Sequence, residues 1–132
     1  MEFKTSDGVI HFTPDRVIVA GWTGRDEAAV QHHIDELAEI GVPAPSTTPL
    51  YYRVSKELAV QTDLLEVVGD HTSGEAEPVL FMTGGKIWLT VGSDQTDRAL
   101  EAHSVVLSKQ CCAKPLAGEA WALSDIADLD AL

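Results

Sequence analysis

The 25-residue stretch Gly74–Arg98, GEAEPVLFMTGGKIWLTVGSDQTDR, constrains the fold more than any other part of the chain. Val79-Leu80-Phe81-Met82 leads into Thr83-Gly84-Gly85-Lys86, and Ile87-Trp88-Leu89-Thr90-Val91 runs back. Gly-Gly is a favoured hairpin turn because both residues accept positive φ, so the stretch predicts two antiparallel strands. The return brings Glu75 and Glu77, ahead of the first strand, near Asp94, after the second. Glu75 and Glu77 are two apart and face one side of an extended chain. Pro78 holds Glu77 away from helical geometry. Three carboxylates thus gather at the open end of one hairpin.

The rest of the chain supplies a β-rich frame with one clear helix. Phe3-Lys4-Thr5 and Val9-Ile10-His11-Phe12 flank the turn-forming Ser6-Asp7-Gly8 and predict an opening hairpin. Val17–Ala20 fits a buried strand, closed by Gly21-Trp22-Thr23-Gly24. From Asp26 to Ile40 the spacing is helical, with Val30, Ile34 and Leu37 at i, i+4 and i+7. Thr23 or Asp26 caps it, and Gly41 followed by Pro43 stops it. On that helix His33 flanks the apolar stripe and can meet Glu36 three residues on, while His32 points nearly the opposite way, to water. Gly41–Pro49 reads as a loop, Tyr51–Val54 and Leu64–Val68 as short strands, Ala99 to Lys109 as helical, and Trp121–Leu123 as a last strand. The closing SDIADLDAL is acidic and weakly periodic.

Composition narrows the function classes. A chain of 132 residues is expected to form one domain, residues 1–132. Its formal charge of −12 argues against nucleic acid, whose phosphates it would repel. No apolar run approaches the ~20 residues that span a bilayer, and the first twenty residues lack the basic-then-apolar order of a secretion signal. The only cysteines, Cys111 and Cys112, are adjacent and make no disulfide framework, so the expected setting is the cytoplasm.

Three carboxylates held together repel one another by about 4 kcal/mol per pair at ~4 Å and an effective dielectric near 20. A proton or a cation relieves that repulsion, and oxygen-only ligands favour a hard ion: Mg²⁺ or Mn²⁺, with Ca²⁺ a further candidate. The spacing alone also fits a solvated strand end. Lys109 likewise reads either as a site residue or as a solvated lysine, and His33 as a site residue or a helix border. Arg98 is expected to hold Asp94 or a neighbouring carboxylate. His11, His71 and His103 carry no spacing that recommends them as ligands.

The order of these residues resembles the fumarylacetoacetate hydrolase superfamily. There a His-x-x-Glu pair precedes a Glu-x-Glu, then an Asp-x-Thr/Ser-x-Arg, then a lysine before a final strand. Here these read His33-Ile34-Asp35-Glu36, Glu75-Ala76-Glu77, Asp94-Gln95-Thr96-Asp97-Arg98 and Lys109, between Gly21 and Trp121. The wording AGWTGRD, GSDQTDR and SKQCCAKP is most similar to an uncharacterised bacterial branch of that superfamily.

The resemblance implies an α+β, mainly β fold with a mixed, rolled sheet. The matching part stops at Leu132, short of the strands and Gly-Thr element that complete the family's sheet, so the expectation is a fragment, a naturally shortened form, or a chain whose incomplete sheet is finished by a partner. The resemblance also implies a hydrolase or lyase acting on a small 2-oxo acid or acylpyruvate-like diketo acid, through a divalent ion that stabilises an enolate. By carry-over Glu75, Glu77 and Asp94 would hold the ion. Lys109 would meet the substrate carboxylate or enolate, and His33, oriented by Glu36, would activate water or move a proton. The rival expectation is a non-catalytic binding or assembly module on the same scaffold.

Overall fold

A computed structural model describes residues 1–128, and the last four residues of the SDIADLDAL segment lie outside the described residues. The chain is mainly β with a few helices. The Gly74–Arg98 stretch forms the expected hairpin, with its strands longer than the apolar run alone. We number strands and helices in chain order: β7 is Ala76–Thr83 and β8 Lys86–Ser93, paired from Ala76↔Ser93 to Thr83↔Lys86. Gly84 and Gly85 take φ of 60° and 76°, the left-handed pair that matches strand twist in a two-residue turn.

Alternation then sorts the hairpin's two faces. Phe81 and Trp88 form one cross-strand pair and point into the core, where Phe3, Ala120 and Ala122 join them. Phe3 and Phe12 place their rings 4.6 and 4.7 Å from Phe81. Burying the whole Phe3 side chain contributes on the order of 2–3 kcal/mol. The opposite face carries Leu80, Met82, Ile87 and Val91, which are exposed, and Leu89 between them, which is buried. Phe3 comes from the opening hairpin, β1 (Glu2–Thr5) and β2 (Gly8–His11). Strand β11 (Trp121–Ala122) closes the far edge of β8, and Leu123 already belongs to a short 3₁₀ turn.

A second pair, β3 (Val17–Gly21) and β4 (Leu50–Val54), runs antiparallel with the helix α1 (Glu27–Glu39) in its connection. Asp26 caps α1, its carboxylate accepting from the amides of Ala28 and Ala29. At the other end Gly41, with φ 90°, donates to the Ala38 carbonyl and Val42 to that of Leu37, the bond pair of a Schellman stop. Strand β3 is not buried as expected. It alternates half-buried with exposed residues, Ile18 being 58% exposed, because only one face of the β3–β4 pair is covered.

Two other expectations fail. Leu64–Val68 forms no strand and exposes Leu64, Val67 and Val68, since no strand among the described residues pairs with it. The expected helix from Ala99 to Lys109 is two: α2 (Arg98–Glu101) and α3 (Val105–Gln110). The break falls at Ser104, whose hydroxyl accepts from the Leu107 amide and starts α3 afresh. Short pairings finish the frame. Strand β5 (Ala59–Val60) lies parallel to β10 (Lys114–Pro115), and β6 (Thr72–Ser73) pairs with β9 (Thr96–Asp97).

Candidate functional site

The open end of the hairpin gathers the carboxylates as the register requires. Glu77 sits opposite Gly92, and two positions further along the register the Asp94 amide donates to the Glu75 carbonyl at 2.9 Å. Glu75, Glu77 and Asp94 all line one cleft of about 180 Å³. His33 from α1, Lys109 from α3, and Arg98 and Glu101 from α2 line the same cleft. Four separated segments therefore bring these charges to one place. Glu36 does not line it. From the outer side it reaches both histidines of its helix, 3.3 Å from His32 Nε2 and 3.7 Å from His33 Nδ1.

Two cation-bridged groups organise the charges. In the first, Lys109 donates to Asp94 Oδ2, and Lys114 stands 3.2 Å from Asp94 Oδ1. All three side chains are buried. Lys114 directs its hydrogen bond to the Gln95 carbonyl, so Asp94 Oδ1 is a buried oxygen without a hydrogen bond. Burial pulls the Lys114 ammonium below its ordinary pKa, and the neighbouring Asp94 charge opposes that pull. In the second group Arg98 spends all three guanidinium nitrogens. Nε donates to Ser73 Oγ at 2.6 Å, Nη1 to Glu101 Oε2 at 2.9 Å and Nη2 to Glu75 Oε1 at 2.7 Å. This is the carboxylate-holding role expected of Arg98. Asp97 caps α2 through the Leu100 amide and so fixes where Arg98 starts.

Glu77 stands apart from both groups. Among the described residues its carboxylate has no ion pair or hydrogen bond. Its pKa is raised, first by partial burial, then by the charges of Glu75 and Asp94, with Lys109 pulling the other way.

The remaining wall is aromatic and apolar: Trp22, Tyr52, Leu37 and Val105. Trp22 takes φ 62°, a left-handed conformation that is a genuine outlier for a bulky residue. Its indole N–H donates to Tyr52 Oη at 3.3 Å, and its ring lies 5.7 Å from the His33 ring. The Lys109 ammonium lies 6.0 Å from the Tyr52 ring centre. Trp22, Tyr52, Glu101 and Lys114 were not singled out in the sequence. Trp22 had a signal, an aromatic residue between two glycines where a strand gives way to a helix. Lys114 had a fainter one, a charge among small and apolar neighbours.

An oxygen-only ligand set is chemically suited to a hard cation, and the unpartnered Glu77 offers it lone pairs, whereas Asp94 Oδ1 is buried and already faces the Lys114 ammonium at 3.2 Å. As they stand, no group of three or more His, Cys, Asp or Glu side chains among the described residues is close enough to hold a metal ion. Lys109 and Arg98 occupy the places next to Asp94 and Glu75.

Fold and cleft together define a mainly β chain whose acidic hairpin end is buttressed by buried cations. The chain belongs to the family described as protein of unknown function (DUF2848), whose family model matches residues 20–132. No curated protein and no solved structure matches it. No helix among the described residues is long and apolar enough to cross a membrane.

Proposed function

We propose that this chain is a divalent-metal-dependent hydrolase or lyase of the fumarylacetoacetate hydrolase type, acting on a small 2-oxo acid or acylpyruvate-like diketo acid. One observation carries the reading: a single cleft collects Glu75, Glu77, Asp94, Lys109 and His33 from distant parts of the chain. Glu75, Glu77 and Asp94 would hold Mg²⁺ or Mn²⁺, with Ca²⁺ as a weaker substitute, in competition with Arg98 and Lys109. When bound, the ion supplies Lewis acidity toward the oxo and carboxylate oxygens of the substrate. Lys109 then has a free ammonium for the substrate carboxylate or for negative charge developing beside it. His33, oriented by Glu36, moves a proton or activates water at the cleft mouth. The exposed apolar hairpin face at Leu80, Met82, Ile87 and Val91 supports a homo-oligomer.

Turnover of acylpyruvates and oxaloacetate with added Mg²⁺ or Mn²⁺ tests the reading. His33→Ala is expected to lose roughly 10²-fold or more in rate while still binding metal. Equal rates would remove His33 from the mechanism, and no turnover of any 2-oxo acid would refute the enzyme. The rival reading, a binding or assembly module, draws on the built-in cations that already neutralise Glu75 and Asp94. An inactive protein that assembles in size-exclusion with light scattering would favour it.

A further inference from the structure

We propose that Trp22 is a positioning residue: its strained backbone holds the indole where it keeps the His33 ring at the cleft. The catalytic consequence rests on the role given to His33 above, while the contact itself does not.

The helix alone does little to fix His33. Its side chain is 59% exposed, and Glu36, also exposed, stands 3.7 Å from Nδ1. An exposed pair of that kind contributes little, and the same carboxylate lies closer to His32, at 3.3 Å. Glu36 also pulls from outside the cleft, since it does not line it. With that restraint only, the ring has staggered rotamers open to it that lead to solvent. On the cleft side its neighbour is Trp22, with ring centres 5.7 Å apart and planes tilted by 46°.

Trp22 is itself tied down from both sides. Its indole N–H donates to Tyr52 Oη at 3.3 Å, which joins it to β4. The two flanking glycines let the loop lie close against its neighbours. A Cβ at Gly21 would come within 3.0 Å of the Tyr52 ring, and one at Gly24 within 2.7 Å of Val30 Cγ2 on α1. Between these close approaches Trp22 takes φ 62°. Glycine adopts that conformation freely, whereas a bulky residue keeps it only where its surroundings over-determine it. The costly backbone thus falls on the residue whose ring meets His33, and the strain is spent on where that ring sits.

Histidine side-chain NMR of the intact protein reads the contact, with the His33 signals assigned by their loss in His33→Gln. Trp22→Leu is expected to move the His33 ring signals and to leave those of His32 in place. Unmoved His33 signals overturn the inference. Turnover of oxaloacetate with Mg²⁺ reads the consequence. Trp22→Leu should lose roughly 10²-fold in kcat with KM changed less than ~3-fold, and should cost less than ~2-fold further in a His33→Ala background. A raised KM with kcat kept, or an additive loss in the double variant, makes Trp22 a plain wall residue and overturns the inference. Trp22→Phe keeps a ring and should restore at least ~10-fold of the lost rate; it also carries the NMR comparison should Trp22→Leu fail to fold. In urea, Trp22→Gly is expected to unfold at a higher midpoint than Trp22→Ala, because glycine accepts φ 62°. The reverse order overturns the strain. A wild type that turns over no 2-oxo acid sinks the proposed function, and the His33 signals then decide the positioning alone.

Discussion

Replacing Lys109 with methionine tests how Asp94 is held. Lys109 and Asp94 are 5% and 6% exposed, so their contact is desolvated on both sides. Removing one partner of a buried ion pair costs about 3–5 kcal/mol when the remaining charge is left alone. Asp94 is not left alone, because Lys114 remains 3.2 Å from its other oxygen. At an effective dielectric near 20 that neighbour attracts it by about 5 kcal/mol gross. Methionine also keeps the apolar stem that lysine buried. The net loss should therefore fall to about 2–3 kcal/mol, a Tm decrease of roughly 10 °C for a chain of this size. Asp94→Asn should cost more, about 3–5 kcal/mol, because it strands two buried ammonium groups rather than one carboxylate. The double variant should lose less than the sum of the singles by at least ~1 kcal/mol. Urea and thermal unfolding of the metal-free protein, followed by circular dichroism, measure all three. If Lys109→Met costs less than ~0.5 kcal/mol, or Asp94→Asn less than Lys109→Met, the buried arrangement argued here is wrong.

Two further predictions concern the hairpin's open end. Glu77 has a raised pKa in the folded state, so the stability linked to it is present below its ordinary value of 4.5 and is lost as pH rises through the raised one. Glu77→Gln should thus stabilise the metal-free protein at pH 7 by less than about 1 kcal/mol, since solvent screens the group, with no gain at pH 4. A variant less stable than wild type at pH 7 would contradict this. Gly92→Ala would bring a Cβ within 2.7 Å of Leu116 Cδ2 and 2.8 Å of Val79 Cγ2, so a loss of about 1–3 kcal/mol is expected in urea. An unchanged midpoint would refute the close packing behind the site.

What could be read from the sequence follows from how local each signal is. Gly84-Gly85 fixes its own hairpin, and Asp26, the 3.6-residue spacing and Gly41 bound α1 without help from elsewhere. Those two elements bring Glu75, Glu77, Asp94 and His33 to one cleft. Leu64–Val68 had strand composition, yet a strand is a pairing and no strand among the described residues partners it. The break before α3 turned on one serine hydroxyl competing with helix continuation. The β5–β10 pair joins two-residue strands more than fifty positions apart, which no local pattern records. Lys114 enters the site through that pairing, and Glu101 enters through the split into α2 and α3. Their places beside Asp94 and Arg98 therefore depend on the folded chain.

The proposed function stands on Glu75 and Glu77, at the start of β7, sharing one hard cation with Asp94, just past β8. Titration of the protein with Mn²⁺ in a calorimeter addresses it most directly, with Glu77→Ala beside the wild type. The account predicts one saturable site in the wild type that the variant loses. No heat of binding in the wild type, or an isotherm that the substitution leaves unchanged, would contradict it.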